Sequence, residues 1–206
     1  MTTARTPRER YREQMRAEIK QHARDQIASS GATSLSLNAI AKRVGMSGPA
    51  LYRYFASRDE LITELVRDAY RGLADAVRAA FDSGADVAGL AHTVRDWALR
   101  DPHRYFLIYG TPVPGYHAPP DTTAISDEIM TVLLAAYERL PVRAVTPFAE
   151  HLGGAPESAV VRHRALSFWT RVHGVLSLEL AGHFAGMDFD PALLFDAEVR
   201  TLIGEG

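Results

Sequence analysis

Cysteine is absent from all 206 residues. Its absence excludes a disulfide framework, a thiolate zinc site and a cysteine nucleophile. No apolar run approaches the roughly 20 residues needed to span a bilayer. The N-terminus is polar and arginine-rich, with no apolar stretch of signal-peptide length, so a cytoplasmic protein without a membrane partner is expected. Gly-x-Ser-x-Gly, a phosphate-cradling glycine loop and His-Glu-x-x-His are all missing. The eight histidines contain no i, i+4 pair. Glu179 and His183, four apart, are the one arrangement suggesting a metal-dependent enzyme, and a surface or interface ion pair explains them as well. The expectation is therefore no enzyme, no catalytic residue, no metal and no cofactor. Segments of strand period are also lacking, which points to an all-α fold.

What is present is unevenly distributed. The net charge of −2 conceals a basic first part: residues 1–60 hold 11 Lys or Arg against 6 Asp or Glu, and the remainder holds 12 against 19. A basic segment on a mildly acidic body is the footprint of a DNA-binding head, although a solvated charge bias has the same composition.

Residues 1–9 read as a disordered basic arm, able to touch phosphates or simply frayed. From about Arg10, Met15, Ile19, Ala23 and Ile27 repeat at i+4 and form one helical stripe ending at Gly31. Ser36 is a candidate N-cap for a second helix, with Leu37, Ile40, Ala41 and Val44 inward. Gly45 breaks it where a turn needs positive φ. Ser47 is the next N-cap candidate, and Pro49 falls in a first turn, where a missing N–H costs nothing. Leu51 and Phe55 are i, i+4 core partners. Helix, glycine turn and helix over about 36–55 make a helix-turn-helix, a device for laying a helix in the DNA major groove.

Ser57-Arg58-Asp59-Glu60 forms a capping box, opening an amphipathic helix expected to run to about Phe81. Further helices are expected over 87–99, 122–140, 157–183 and 190–203, with a short aromatic segment at 103–109. Gly110–Pro120 and Pro141–Pro156 read as irregular. Over 161–180 the apolar residues cover more than one stripe, which suggests burial on two sides, one of them a second subunit.

The first-helix stripe ending at Gly31, Ile40-Ala41, Gly45, Leu51-Tyr52, Phe55 and Arg58-Asp59-Glu60-Leu61 together resemble the TetR family of transcriptional regulators. Trp169 and His173-Gly174, with Thr111-Pro112-Val113-Pro114-Gly115-Tyr116, look like a subgroup carrying a Trp-x-x-x-His-Gly signature. The resemblance implies about nine helices. It implies a helix-turn-helix domain over 10–56 and a helical regulatory, ligand-binding and dimerisation domain over 57–206. It further implies a homodimer on a palindromic operator and, most commonly, repression relieved by a small ligand. An activator, or a protein of the same fold that merely coats DNA, is the alternative.

The expected DNA set is Ser36, Asn38, Ser47, Gly48, Pro49, Ala50, Tyr52, Arg53, Tyr54 and Arg58. Tyr52 stands where the family has a phosphate-contacting tyrosine, and Arg58 replaces a common lysine, keeping its charge. Ser36 and Ser47 lie at helix N-termini, which favour phosphates. Asn38 suits adenine by its donor–acceptor pair, unless it merely faces solvent. Gly48, Pro49 and Ala50 allow close approach and contact with thymine methyls. Arg53 reaches guanine or a phosphate, and Tyr54 touches the backbone or packs. Trp97, Tyr105, Phe106, Tyr109, Phe168, Trp169 and His173 have the composition of a pocket for a small, largely apolar ligand, and equally that of a helical core. Val172, Val175, Leu176, Leu180, Leu194 and Leu202 are the expected dimer contacts.

Overall fold

The structure, a computed structural model, describes residues 6–110, 113–141 and 146–204. Residues 1–5 of the expected arm and Thr111-Pro112 of the proline-rich segment lie outside the described residues. Among the described residues there are ten α-helices, one 3-10 turn and no strand. The chain forms two compact units. One runs to Ala69 and takes in His103–Pro119; the other comprises Tyr70–Pro102 and the chain from Pro120 onward. The boundary thus differs from the one expected near residue 57, because Ser57 starts a helix that both units share.

In the first unit, α1 spans Pro7–Ser30. It begins three residues earlier than the periodicity suggested. Thr6 Oγ1 accepts from Glu9 N at 3.3 Å, and the Glu9 carboxylate accepts from Thr6 N at 2.7 Å. This reciprocal cap, followed by Pro7 at the first helical position, starts the helix before any apolar residue is needed. Residues 7–9 are therefore helical, which corrects the expectation of a disordered arm through Glu9. Met15, Ile19, Ala23 and Ile27 are buried as the stripe required. Gly31 closes the helix at φ 79°, donating to Ile27 O at 2.8 Å. A 3-10 turn at Ala32–Ser34 leads to α2 (Leu37–Arg43). Ser36 Oγ caps α2 by accepting from Ala39 N.

Gly45 turns the chain at φ 68°, with open space where a side chain would stand, so the glycine is required by conformation alone. The helix that follows, α3, spans only Gly48–Leu51. Beyond it the chain winds tighter, with Arg53 N on Ala50 O and Tyr54 N on Leu51 O. Leu51 and Phe55 anchor this turn, and both are fully buried.

Helix α4 (Arg58–Asp82) opens under Ser57, whose Oγ accepts from Glu60 N at 3.0 Å. The Glu60 carboxylate reaches one residue further back than the usual box, accepting from Ala56 N. Along α1 and the start of α4, Arg16 faces Glu64 at 3.4 Å, Lys20 faces Asp68 at 2.7 Å and Arg24 faces Asp68 at 3.7 Å. Such half-exposed pairs contribute only about 0.2–1 kcal/mol each; their main effect is to hold the two helices in one register. Helix α6 (Pro102–Tyr109) lies almost wholly in this unit, and Tyr116 in the following loop hydrogen-bonds Thr63 of α4 at 3.2 Å.

The second unit takes the rest of α4 together with α5 (Val87–Arg100), α7 (Pro120–Glu138), α8 (Pro147–His151), α9 (Pro156–Leu180) and α10 (Pro191–Ile203). Helix α9 packs against α5, α7, α8 and α10. Helix α8 stands where irregular chain was expected. Thr146 caps it by accepting from Ala149 N, Pro147 occupies its first position, and Ala149 is fully buried. Arg71 of α4 grips Glu128 of α7 with two bonds of 2.7 and 2.9 Å. Helix α9 ends three residues short of His183, at Leu180, with Gly182 at φ 77°.

Candidate nucleic-acid interface

The helix-turn-helix consists of α2, the Gly45 turn and α3. Of its expected DNA contacts, Asn38, Ser47, Pro49, Tyr52 and Arg53 are exposed, and Ser36, Gly48, Ala50 and Tyr54 are half-buried. Tyr52 is 48% exposed, too open for a packing spacer. Ser47 holds the N-cap position of α3 with extended backbone, but its hydroxyl makes no capping bond. Asn38 Oδ1 lies 3.4 Å from where a Cβ on Gly48 would stand, so the bare glycine leaves room for the amide beside the start of α3.

The placement of α3 is fixed from α1. Arg12 Nη2 donates to Arg53 O at 3.5 Å, and Arg16 Nη1 donates to Tyr54 O. The Arg16 guanidinium also sits 4.2 Å above the Phe55 ring. These carbonyls end the α3 turn, where cations are favoured.

Arg58 Nη2 donates to Ala32 O at 2.9 Å and to Thr33 O at 3.2 Å, and its Nη1 lies 3.6 Å from Asp59. The guanidinium therefore holds the 3-10 turn between α1 and α2. Lys42 and Arg43, which sequence reasoning placed outside the core but left out of the DNA set, are exposed and make no ion pair among the described residues. Lys42 is one helical turn after Asn38 and shares its face, a spacing that could have identified it. The cations of this unit thus divide. Arg16, Lys20, Arg24 and Arg58 are spent on carboxylates or carbonyls, while Lys42, Arg43 and Arg53 stand free around the turn.

The expected ligand residues divide between the two units. Tyr105 is fully buried in the first and packs against Phe106 and Tyr109, with ring centroids 5.5 and 5.3 Å apart. In the second, Trp97 and Phe168 are core residues, and Phe168 meets Tyr137 edge-on at 6.5 Å. Trp169 meets His173 edge-on at 4.3 Å, and burial pushes the His173 imidazole down to a pKa of about 4. Two grooves beside Val160, of about 200 and 240 Å³, are lined by none of these seven residues.

Two further expectations need correction. Glu179 Oε1 accepts from Arg95 Nη2 at 2.6 Å, and both side chains are largely buried. His183 lies beyond the end of α9, so the two no longer share a helical face and form no metal pair. Among the expected dimer contacts, Val172, Val175, Leu176 and Leu202 are buried by the chain's own helices, and Leu180 and Leu194 are half-buried. The exposed side chains along the length of α9 and α10 include Leu166, Thr170 and Leu178, beside Gly174, with Leu193 and Ala197, and also the polar Arg171, Arg200 and Thr201.

A capped helix, a glycine turn and a short anchored helix, with free cations, an amide and a tyrosine on the outside, define a helix-turn-helix DNA-binding transcriptional regulator. Comparison narrows the class. Residues 19–65 match the family described as "Bacterial regulatory proteins, tetR family", and residues 87–202 match "Tetracyclin repressor-like, C-terminal domain". The chain belongs to the tetR family. It is 40% identical to the HTH-type transcriptional regulator Rv1816 of Mycobacterium tuberculosis (strain ATCC 25618 / H37Rv), over 93% of this chain and 92% of that protein. The protein SCO4313, known from a crystal structure, is 64% identical, with a TM-score of 0.88, covering 97% of this chain and all of that one. The fatty acid degradation regulator FadR from Bacillus halodurans shares the fold alone, at 13% identity and a TM-score of 0.63 over 91% of this chain and 97% of its own.

Proposed function

We propose that this regulator is a cytoplasmic repressor that binds a two-fold symmetric operator as a homodimer and is released by a small, largely apolar ligand. The observation that carries the DNA half is the division of cations in the first unit, which leaves Lys42, Arg43 and Arg53 uncompensated around one exposed motif. In this reading Tyr52, Ser47, Lys42 and Arg43 hold phosphates, while Asn38, Pro49, Ala50 and Arg53 face base edges. With three small residues at 48–50, hydrogen-bonding readout is sparse, and DNA shape supplies part of the specificity.

The dimer half rests on the uncovered stripe Leu166, Thr170, Gly174 and Leu178, spaced at i+4 along α9, with Leu193 and Ala197 on α10. Small and apolar side chains at one-turn spacing suit close packing against a second helix pair. The ligand half rests on the aromatic residues of α5 and α9 in the second unit.

Selection of bound sequences from a random duplex pool tests the reading. A palindromic consensus with half-sites one helical turn apart, about 34–36 Å, or a multiple of that, is expected. Binding without a consensus would replace the regulator of a defined operator with a DNA-coating protein, and a consensus without two-fold symmetry would overturn the dimer.

A further inference from the structure

The first two turns of α1 bury no side chain. Every residue from Pro7 to Gln14 is exposed, and the first buried residue is Met15. Yet these turns are firmly started by the Thr6–Glu9 cap. The helix therefore projects beyond the core of its own unit by eight residues, about 12 Å at 1.5 Å per residue.

The face of that projection is not random. Tyr11 stands one turn before Met15, Arg12 two turns before Ile19, and Arg8 one turn before Arg12. Arg8, Tyr11 and Arg12 thus continue the stripe that further along buries Met15, Ile19, Ala23 and Ile27 against the core. On the projection, this inward stripe is cationic and aromatic where apolar residues stood before. Glu9 and Glu13 lie on the adjoining flank, with Glu9 engaged at the cap, and Arg10 and Gln14 point the opposite way. Arg12 Nη2 reaches Arg53 O at the end of the α3 turn, which fixes the projection alongside that end of the recognition element. Arg8 and the 59% exposed Tyr11 make no hydrogen bond or ion pair among the described residues.

We propose that the projecting turns of α1 form a second DNA-contacting element, in which Arg8 and Tyr11 grip the phosphate backbone bordering the groove that α3 enters, with Arg12 positioning them through its bond to Arg53 O. The major groove is about 12 Å wide, so a helix in it has a phosphate strand within that distance on either side. A projection of equal length, docked beside the end of α3 by Arg12 with a free guanidinium and a phenol on its inner face, matches that strand in reach and charge. This inference rests on the DNA-binding reading and adds to it contacts that lie outside the helix-turn-helix.

The test compares two charge-matched variants of the full chain, Arg8→Gln on the inner face and Arg10→Gln on the outer. Both positions are exposed and unpacked, so circular dichroism and thermal unfolding should match the parent. Binding to a random-sequence duplex of about 30 base pairs is followed by fluorescence anisotropy between about 50 and 200 mM salt. For Arg8→Gln the slope of log K against log salt should become shallower by about 0.9, the loss of one phosphate contact, with Arg10→Gln unchanged. Equal slopes for the two variants, whether both parental or both reduced, would overturn the proposal and leave the regulator standing. Failure of the parent chain to bind the duplex at all would remove the DNA reading itself, and this element with it.

Discussion

The two units use charge and apolar surface in opposite ways. In the first, the helices are held by polar devices that can be named one by one: caps at Thr6, Ser36 and Ser57, Arg58 on the 3-10 turn, and Arg12 and Arg16 on the end of α3. The second relies on long helices meeting through apolar faces, with scattered ion pairs such as Arg71–Glu128 and Arg95–Glu179. The first unit must present a fixed constellation to a rigid, charged polymer, and it does so with pinned elements and a few free cations. The second has no such demand on its outer face, and its chemistry is that of packing. Polar pins are specific to their residues; apolar packing is tolerant of substitution. Function is therefore easier to assign residue by residue in the first.

If this contrast is real, removing a core anchor from the first unit should abolish DNA binding without dissolving the second. Phe55→Ala deletes a fully buried ring beneath Arg16 and should cost about 3–5 kcal/mol. Thermal unfolding should then show an early transition for the first unit, and DNA affinity should vanish. A single transition with DNA binding retained would erase the distinction between the units.

The next effect belongs to the second unit and depends on pH. Burial holds His173 neutral, with a pKa near 4 against 6.5 for the free side chain. The folded state therefore takes up a proton later than the unfolded chain. The stability this contributes is fully present above pH 6.5 and declines as pH falls towards 4, by about 3 kcal/mol in all. Urea unfolding at pH 7 and pH 4.5 should show the loss, and His173→Leu should flatten it. A profile unchanged by the substitution would assign the acid sensitivity elsewhere.

Smaller effects sharpen the contrast. Asn38→Ala should cost about 1–3 kcal/mol on a selected operator and leave binding to random duplex nearly intact, whereas Lys42→Gln should weaken both alike and lower the salt slope by about one phosphate. Competition assays over a salt series separate the two. The smallest change is expected in the second unit: Thr146→Ala removes the α8 cap, costs about 1 kcal/mol in chemical denaturation and leaves DNA affinity untouched.

What the sequence revealed follows the same division. The stripe of α1, the Ser36 and Ser57 caps, the Gly45 turn and the Leu51–Phe55 pair were all legible, because each is set by local spacing and backbone conformation. The carbonyl partners of Arg58 could not be foreseen, because they lie 25 and 26 positions away, which no local pattern shows. The early start of α1 was hidden by weighting apolar periodicity above the Thr6–Glu9 cap. The Thr146-Pro147 start signal of α8 was lost inside a proline-rich stretch. Val172 and Leu176 were placed at an interface because a wide apolar arc on α9 does not say which of its sides meets α5, α7 and α10 of the same chain. The ligand residues stayed unresolved because an aromatic cluster has the same composition in a core as in a pocket.

A Cβ at Gly48 would stand 3.4 Å from Asn38 Oδ1, and this closeness has an evolutionary consequence. Two positions ten residues apart share one small space, so neither can change without regard to the other. A larger residue at 48 crowds the amide at 38, and a different side chain at 38 alters what position 48 tolerates. Drift of this protein towards a new operator would then proceed by paired replacements, and the order in which the two arise would decide which intermediates still bind.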